Sequence, residues 1–174
     1  MKRLAGFFIK RGGRLFTRAE KEYFMREAIR EAKKAEAITE VPIGAVIVRD
    51  GEIIGRGYNQ RETTNRAVSH AEIMAIEEAN RHIDNWRLEN CALFVTLEPC
   101  PMCSGAIIMS RIPDVYYGAS DYKGGTAGTL MNLLEDQRFN HQAHVESGLL
   151  QEETSQLLSE FFKNLRLKKK EGEL

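Results

Sequence analysis

The sequence has little cysteine and no long apolar run. Its 174 residues include only three cysteines, which are too few, and odd in number, for a disulfide framework. No stretch approaches the roughly 18 apolar residues that a membrane helix needs. The basic start, MKRLAGFFIKRGG, lacks the small-residue cleavage site of a secretory signal. These absences argue against membrane-spanning and disulfide-rich secreted proteins, so we expect a cytoplasmic protein with reduced thiols.

The composition is that of a globular protein with an uneven charge distribution. A hydrophobic content of 43% allows a chain of this length to bury one sizeable core. We therefore expect a single domain over residues 19–174, preceded by a basic extension over residues 1–18. That extension carries six basic side chains and no acidic one, residues 163–174 are also net basic, and the residues between them are net acidic. Basic ends are most often solvated tails, and an anionic partner is the alternative.

The spacing of apolar residues alternates between helical and strand periods along the chain. Thr17 and Glu20 have the spacing of a helix capping box, and Asp50-Gly51 has the residues of a tight hairpin turn. Helices are predicted over residues 17–35, 71–83, 101–111, 130–136 and 151–170. Strands are predicted in the hairpin 44–57 and over residues 92–98, 114–120 and 143–148. This order predicts an α/β fold with helices on both faces of one sheet.

Cys100 and Cys103 lie where a predicted strand passes into a predicted helix. Both thiols would project from the first helical turn, where the helix dipole and free N–H groups favour thiolate. A C-x-x-C pair at such a turn is compatible with a redox dithiol, with half of a structural zinc site, or with two ligands of a catalytic zinc. The pair alone does not decide among these three.

A second pair of residues favours the catalytic zinc. His70 and Glu72 open another predicted helix, thirty residues before Cys100. H-x-E followed by P-C-x-x-C is the known signature of zinc-dependent nucleobase deaminases, and we recognise it here as a pattern. A redox dithiol would leave His70 and Glu72 without a role. A structural zinc would need a fourth ligand, for which the cysteine and histidine candidates are Cys91, His82, His141 and His144.

The chemistry of deamination requires these residue types. Zinc held by one imidazole and two thiolates keeps its fourth position open and lowers the pKa of water from about 15.7 toward about 7. A carboxylate beside that water, and not on the metal, can carry protons to the ring and to the leaving ammonia. Glu72 has the position for this proton transfer. We therefore expect one catalytic zinc per subunit.

Five segments of the chain resemble the bacterial tRNA-specific adenosine deaminases, and the resemblance covers about residues 20–166. They are VPIGAVIVRDGEIIGRGYNQRE, SHAEIMAI, LEPCPMCSGAIIMSRI, VYYGASDYKGGTAGTLMNLL and LLSEFFKNLR. The resemblance implies a cytidine-deaminase-like fold, a three-layer α/β/α sandwich with a mixed central sheet, and a homodimer whose active sites are each completed by the neighbouring subunit. It also implies conversion of the wobble adenosine of a tRNA anticodon to inosine, with the anticodon stem-loop as partner and no DNA or membrane partner. Residues 1–18 lie outside the resemblance, as a disordered basic arm or the product of an upstream start codon.

The resemblance also assigns roles to individual residues. It makes His70, Cys100 and Cys103 the zinc ligands and Glu72 the proton shuttle. Five further residues are expected to contact the substrate: Asn59 at the flipped base, the backbone of Ala71 at the reacting centre, Asp121 and Lys123 at the ribose and phosphates, and Phe162 at the anticodon loop.

Other functions remain as alternatives to tRNA deamination. Guanine deaminase shares the histidine-alanine-glutamate and P-C-P-M-C segments, but a free-base enzyme would not need the GASDYKGGTAGT loop or a basic last helix. The same argument disfavours cytidine and deoxycytidylate deaminases, and the riboflavin-pathway deaminase spaces its cysteines more widely. A zinc-stabilised RNA-binding module, from another class, would use the basic ends without catalysis.

Overall fold

The first helix begins where the capping box predicts it. In the computed structural model, which describes residues 15–171, the Thr17 side chain accepts from the Glu20 backbone, and the Glu20 side chain accepts from the Thr17 backbone. Helix α1 follows over Arg18–Ala37. Most of the predicted basic extension, residues 1–14, lies outside the described residues.

The remaining elements alternate between strands and helices. Strands β1 (Gly44–Arg49) and β2 (Glu52–Tyr58) form the predicted hairpin, and its turn residues Asp50 and Gly51 both have positive φ. The other elements are α2 (Arg61–Thr64), α3 (Ala71–Ile83), β3 (Cys91–Leu97), α4 (Pro101–Met109), β4 (Asp114–Ala119), β5 (His144–Glu146) and α5 (Gln151–Glu171).

The five strands form one mixed sheet in the order β2-β1-β3-β4-β5. Strand β1 pairs antiparallel with β2 and β3, whereas β3, β4 and β5 run parallel. Parallel neighbours need crossover connections, and α4 provides the one between β3 and β4. The carboxyl end of β3 therefore lies next to the start of α4, which is where the P-C-x-x-C segment falls.

Two apolar clusters cover the two faces of the sheet. One contains Ala71 and Ala75 of α3, Ile107 of α4 and the strand residues Leu93 and Val95, among others. The other contains residues of α1 together with Phe94, Tyr116 and Leu149. Helix α5 starts on the α1 side, because a Cβ added at Gly118 of β4 would meet Thr154 of α5. The expected three-layer α/β/α architecture with a mixed sheet is confirmed.

Phe16 shows that the folded unit starts within the predicted extension. Its ring packs edge-on against Phe24, Phe94 and Tyr116, with ring centroids 5.6, 5.6 and 6.1 Å away. Edge-to-face aromatic pairs contribute beyond the area they bury. Phe16 therefore packs against the core, and Thr17 caps the first helix.

One predicted helix is wrong. Residues 130–136 form turns and an isolated bridge between Ala127 and Asn132. The Asn132 side chain accepts from the Glu135 backbone and donates to the Glu135 carboxylate, so it closes a local turn in place of helical hydrogen bonds. Leu134 is fully buried, which explains why the segment has an apolar pattern without being a helix. The short helix α2 was not predicted.

Glycines in the hairpin allow helices to lie directly on the strands. A Cβ added at Gly57 of β2 would lie 2.2 Å from the carbonyl oxygen of Ala71 in α3, and one at Gly44 of β1 would lie 2.1 Å from that of Ala28 in α1. Real Cβ atoms essentially never approach within 3.0 Å of a neighbouring atom. The approach at Gly57 sets the position of the first turn of α3.

The helices of residues 15–171 are too short or too polar to span a membrane.

Candidate active site

The start of α3 and the start of α4 meet at one point above the sheet. His70 is the N-cap of α3 and Cys100 is the N-cap of α4, and neither side chain caps its own helix. Pro101 occupies the first turn of α4, where its missing N–H has no intrahelical partner in any case. Both side chains are therefore available to bind a ligand at a position where two helix dipoles favour negative charge.

The three predicted ligands converge with the spacing of a tetrahedral metal site. The Nδ1 atom of His70 lies 3.7 Å from Cys100 Sγ and 3.6 Å from Cys103 Sγ, and all three atoms lie within 4.8 Å of one another. Zinc–nitrogen and zinc–sulfur bonds of about 2.0 and 2.3 Å at tetrahedral angles separate nitrogen from sulfur by about 3.5 Å. The donor set and its geometry fit zinc.

Hydrogen bonds among the three side chains favour a thiolate at Cys100. The Cys103 thiol donates to Cys100, and this bond, together with one from His70, lowers the pKa of the Cys100 thiol to about 4. The bond to Cys100 and burial raise the pKa of Cys103, while the bond to Cys100 raises the pKa of His70. The cluster therefore stabilises the thiolate form of Cys100, which accepts hydrogen bonds from Cys103 and His70. A cation can replace those protons, because thiolate and neutral imidazole are the forms that bind metal.

Glu72 lies beside the three ligands, in the first turn of α3. Its side chain is buried and faces the same pocket as His70 and Cys100. It is not one of the three residues whose ligand atoms converge. Burial raises the pKa of the Glu72 carboxyl to about 7, so both of its protonation states are populated near neutral pH. That is the property required of a group that takes up and releases protons.

A small pocket of about 190 Å³ opens in front of this cluster. Pockets for drug-sized ligands have volumes of roughly 300–1,000 Å³, so this smaller pocket suits a ligand of about the size of one nucleobase. Asn59 and Asp121, both predicted substrate residues, line it with His70, Glu72 and Cys100. The structure therefore brings together residues from the segment directly after β2, the start of α3, the β3–α4 turn and the loop after β4.

The other three predicted substrate residues do not line the pocket. Ala71 is fully buried between His70 and Glu72. Lys123 is exposed, and its backbone N–H donates to the Asp121 carboxylate at 2.9 Å, which places it at the outer turn of the same loop. Phe162 is 41% exposed on α5, packs edge-on against Phe161 and does not line the pocket. Its contact with RNA stays a prediction.

Two buried carboxylates of the pocket wall were not predicted from the sequence. Glu98 accepts from the backbone N–H groups of Asp121, Ala127 and Thr129 at 2.9–3.0 Å, and so holds the loop that carries Asp121 and Lys123. Glu40 binds Asn59 and Thr63. An acidic residue that closes an apolar strand directly before P-C-x-x-C was a detectable signal for Glu98, whereas Glu40 had no local signal.

Cys91 is separate from the metal cluster. It lies at the amino end of β3, away from Cys100, and is 3% exposed. Burial raises the pKa of its thiol to about 11, which disfavours thiolate. Within residues 15–171, no further histidine, cysteine or carboxylate joins His70, Cys100 and Cys103 as a fourth ligand. The site is therefore an open three-ligand site, which is typical of catalytic zinc.

Comparisons with known proteins agree with this site. Residues 18–119 match the family model of the cytidine and deoxycytidylate deaminase zinc-binding region. The tRNA-specific adenosine deaminase of Bacillus subtilis is 59% identical over 149 residues, which are 86% of this chain and 92% of that protein. A solved structure from a study of A-to-I editing by tRNA:A34 deaminases at the wobble position has a TM-score of 0.75 and 41% identity, over 78% of this chain and all but 1% of the other. Guanine deaminase from Bacillus subtilis has a TM-score of 0.57 and 39% identity, over 62% of this chain and 69% of that one.

The fold and the site define the class of protein: a hydrolytic deaminase with a zinc-binding centre. Within that class, the sequence identity of the relatives and the share of the chain that they match determine the family. The chain belongs to the family of tRNA-specific adenosine deaminases.

Proposed function

We propose that the protein converts the wobble adenosine of a tRNA anticodon to inosine. The observation that carries this proposal is the pocket formed by His70, Cys100, Cys103 and Glu72, in a chain that is 59% identical to a tRNA-specific adenosine deaminase. A pocket for one nucleobase requires the base to leave its stack, which costs least in a single-stranded loop.

In this proposal His70, Cys100 and Cys103 hold the zinc. When bound, zinc supplies a Lewis acid that makes water a competent nucleophile at neutral pH. Glu72 takes one proton from that water while the water oxygen bonds to C6 of adenine, and it delivers this proton to the neighbouring ring nitrogen. It then carries the proton of the new hydroxyl group to the amino group, which leaves as ammonia while the carbonyl of inosine forms. Its burial beside the ligands supports this role, because a water-poor site keeps the transferred proton between Glu72 and the substrate.

The other predicted substrate residues orient the nucleoside and the RNA around it. Asn59 and the backbone of Ala71 contact the base, Asp121 and Lys123 contact the ribose and phosphates, and Phe162 contacts the anticodon loop. Glu98 accepts hydrogen bonds from the loop that carries Asp121 and Lys123, so these two residues have a defined position beside the pocket. Fixed phosphate contacts position an RNA while the pocket reads the base.

The basic end of α5 extends this surface. Lys163, Arg166 and Lys168 are exposed on the helix that also carries Phe162, and cationic side chains of this kind bind phosphates without reading sequence. The anticodon stem-loop is the proposed partner. The proposed assembly is a homodimer with one zinc per subunit, in the cytoplasm. Its catalytic domain includes Phe16 and Thr17 in addition to the expected residues 19–174.

A direct test is deamination of a synthetic anticodon stem-loop by the zinc-loaded protein. We expect inosine at the wobble position, with kcat/KM far above that for free adenosine, guanine or cytidine. The matched control RNA is the same stem-loop with guanosine in place of the wobble adenosine. Guanine turnover equal to or above that of the stem-loop would contradict the proposal and favour guanine deaminase, whose structural likeness makes it the second candidate.

A further inference from the structure

Glu40 is a buried carboxylate that the proposed mechanism does not use. It lies between α1 and β1, is 1% exposed and lines the pocket. A buried carboxylate is costly unless its oxygens are hydrogen-bonded. The partners of Glu40 therefore indicate what it does.

Every partner of Glu40 is a donor, and the two oxygens have different partners. Oε1 accepts from the backbone N–H of Thr63 at 2.6 Å and from its hydroxyl at 2.9 Å. Oε2 accepts from the side-chain amide of Asn59 at 3.1 Å. Glu40 thus joins the α2 segment to Asn59.

These contacts fix which end of the Asn59 amide faces the pocket. The amide nitrogen donates to Glu40 and to the carbonyl oxygen of Val41 at 3.4 Å, so both of its hydrogens are used. The opposite orientation would place the Asn59 oxygen against two acceptors. What remains for a substrate is therefore the amide oxygen, which can only accept.

We propose that Glu40 is a positioning residue that sets the hydrogen-bonding polarity of the pocket. By orienting Asn59 it presents an acceptor, so the site favours nucleosides that bring a donor to this point, such as an exocyclic amine or a ribose hydroxyl. A buried acceptor left without a donor penalises other ligands. This inference rests on the proposed role of Asn59 in binding the substrate.

The first variant is Glu40→Gln, which keeps the shape of the side chain. The donors of Thr63 hold the oxygen of the new glutamine, so its NH₂ group faces Asn59. The Asn59 amide then turns, and its own NH₂ group faces the pocket. We expect kcat/KM to fall by about 10- to 100-fold, on the scale of one mispaired buried group, with zinc content unchanged.

The decisive variant adds Asn59→Asp to Glu40→Gln. The glutamine NH₂ group now donates to one oxygen of the new carboxylate, and the second oxygen faces the pocket as an acceptor. The acceptor in the pocket is restored by exchanging donor and acceptor across the pair. We expect the double variant to recover at least 10-fold in kcat/KM over Glu40→Gln. Asn59→Asp alone should be impaired, since it sets two carboxylates against each other.

A control separates this role from a general loss of stability. Glu31 is 2% exposed and binds Arg56 and Lys34, but it does not line the pocket. Glu31→Gln should lower the melting temperature and leave kcat/KM unchanged. Wild-type kcat/KM in Glu40→Gln, or a double variant whose losses simply add, would overturn the proposal. The kcat/KM of each variant is measured on the substrate that the wild-type protein deaminates. A wild-type protein that does not deaminate the anticodon stem-loop would therefore contradict the proposed function without deciding the role of Glu40.

Discussion

Adding one methyl group at Gly57 should displace the catalytic turn of α3. A Cβ at this position would lie 2.2 Å from the Ala71 carbonyl oxygen, 2.6 Å from the Ala75 nitrogen and 2.8 Å from the Met74 Cβ. Two of these atoms are backbone, so no side-chain rotation relieves the contact. Ordinary contact begins at 3.4 Å, and α3 must therefore move away from β2 by about 1 Å, the scale of misplacement at which catalysis loses about 10²-fold.

We expect Gly57→Ala to lower kcat by about 100-fold and the free energy of unfolding by about 1–3 kcal/mol, the usual cost of overpacking. The matched control is Gly105→Ala in α4, where an added Cβ has no neighbour within 4 Å. That variant should keep full activity and gain roughly 0.5–1 kcal/mol, since alanine is the better helix former. Single-turnover deamination, zinc content and urea unfolding of both variants provide the measurements. Wild-type turnover and stability in Gly57→Ala would refute the argument that the close approach of α3 to β2 positions the site.

Four further predictions address the metal, the proton transfer, the RNA and the chain start. Cys91→Ser should retain one zinc per subunit by metal analysis, and loss of the metal would instead indicate a closed four-ligand site. Glu72→Gln should keep its zinc but lose about 10²- to 10⁴-fold in kcat, so near-normal activity of the zinc-loaded variant would exclude it as the proton shuttle. Binding of the stem-loop should weaken with salt, and the slope should flatten by roughly 0.7–0.9 per lost phosphate contact when alanine replaces Lys163, Arg166 and Lys168. Phe16→Ala should destabilise the protein by about 1–3 kcal/mol, whereas Leu15→Ala, at a side chain that is 95% exposed, should leave the free energy of unfolding nearly unchanged. Equal effects of the two changes would contradict the packing described for Phe16.

Features coded by neighbouring residues could be predicted from the sequence. The Thr17–Glu20 capping box, the Asp50-Gly51 turn and the bounds of α3 each depend on residues within one or two turns of chain. The convergence of His70 with Cys100 and Cys103 could also be predicted, because the ligand spacing is a recognisable pattern. The chemistry of the site was therefore accessible before its geometry was known.

Features that depend on distant partners could not be predicted. Glu40 and Asn59 are 19 residues apart, and no sequence pattern near either residue predicts their contact. The apolar residues of segment 130–136 matched a helix, but burial of Leu134 and the Asn132 turn determined its structure. Local propensity decides the structure of such a short segment only weakly.

The position of the metal ligands also has a consequence for folding. His70 belongs to α3, whereas Cys100 and Cys103 belong to α4, and these two helices contact each other sparsely. A cation bound at this point cross-links two helices whose first turns are separated by 30 residues of chain, and it binds the native state in preference to the unfolded chain. The free energy of unfolding therefore increases with the concentration of free zinc, by about 1.4 kcal/mol for each tenfold excess over the dissociation constant. The metal centre therefore also acts as a reversible cross-link that stabilises the fold. In a cell with little free zinc, the protein loses part of its stability together with its activity.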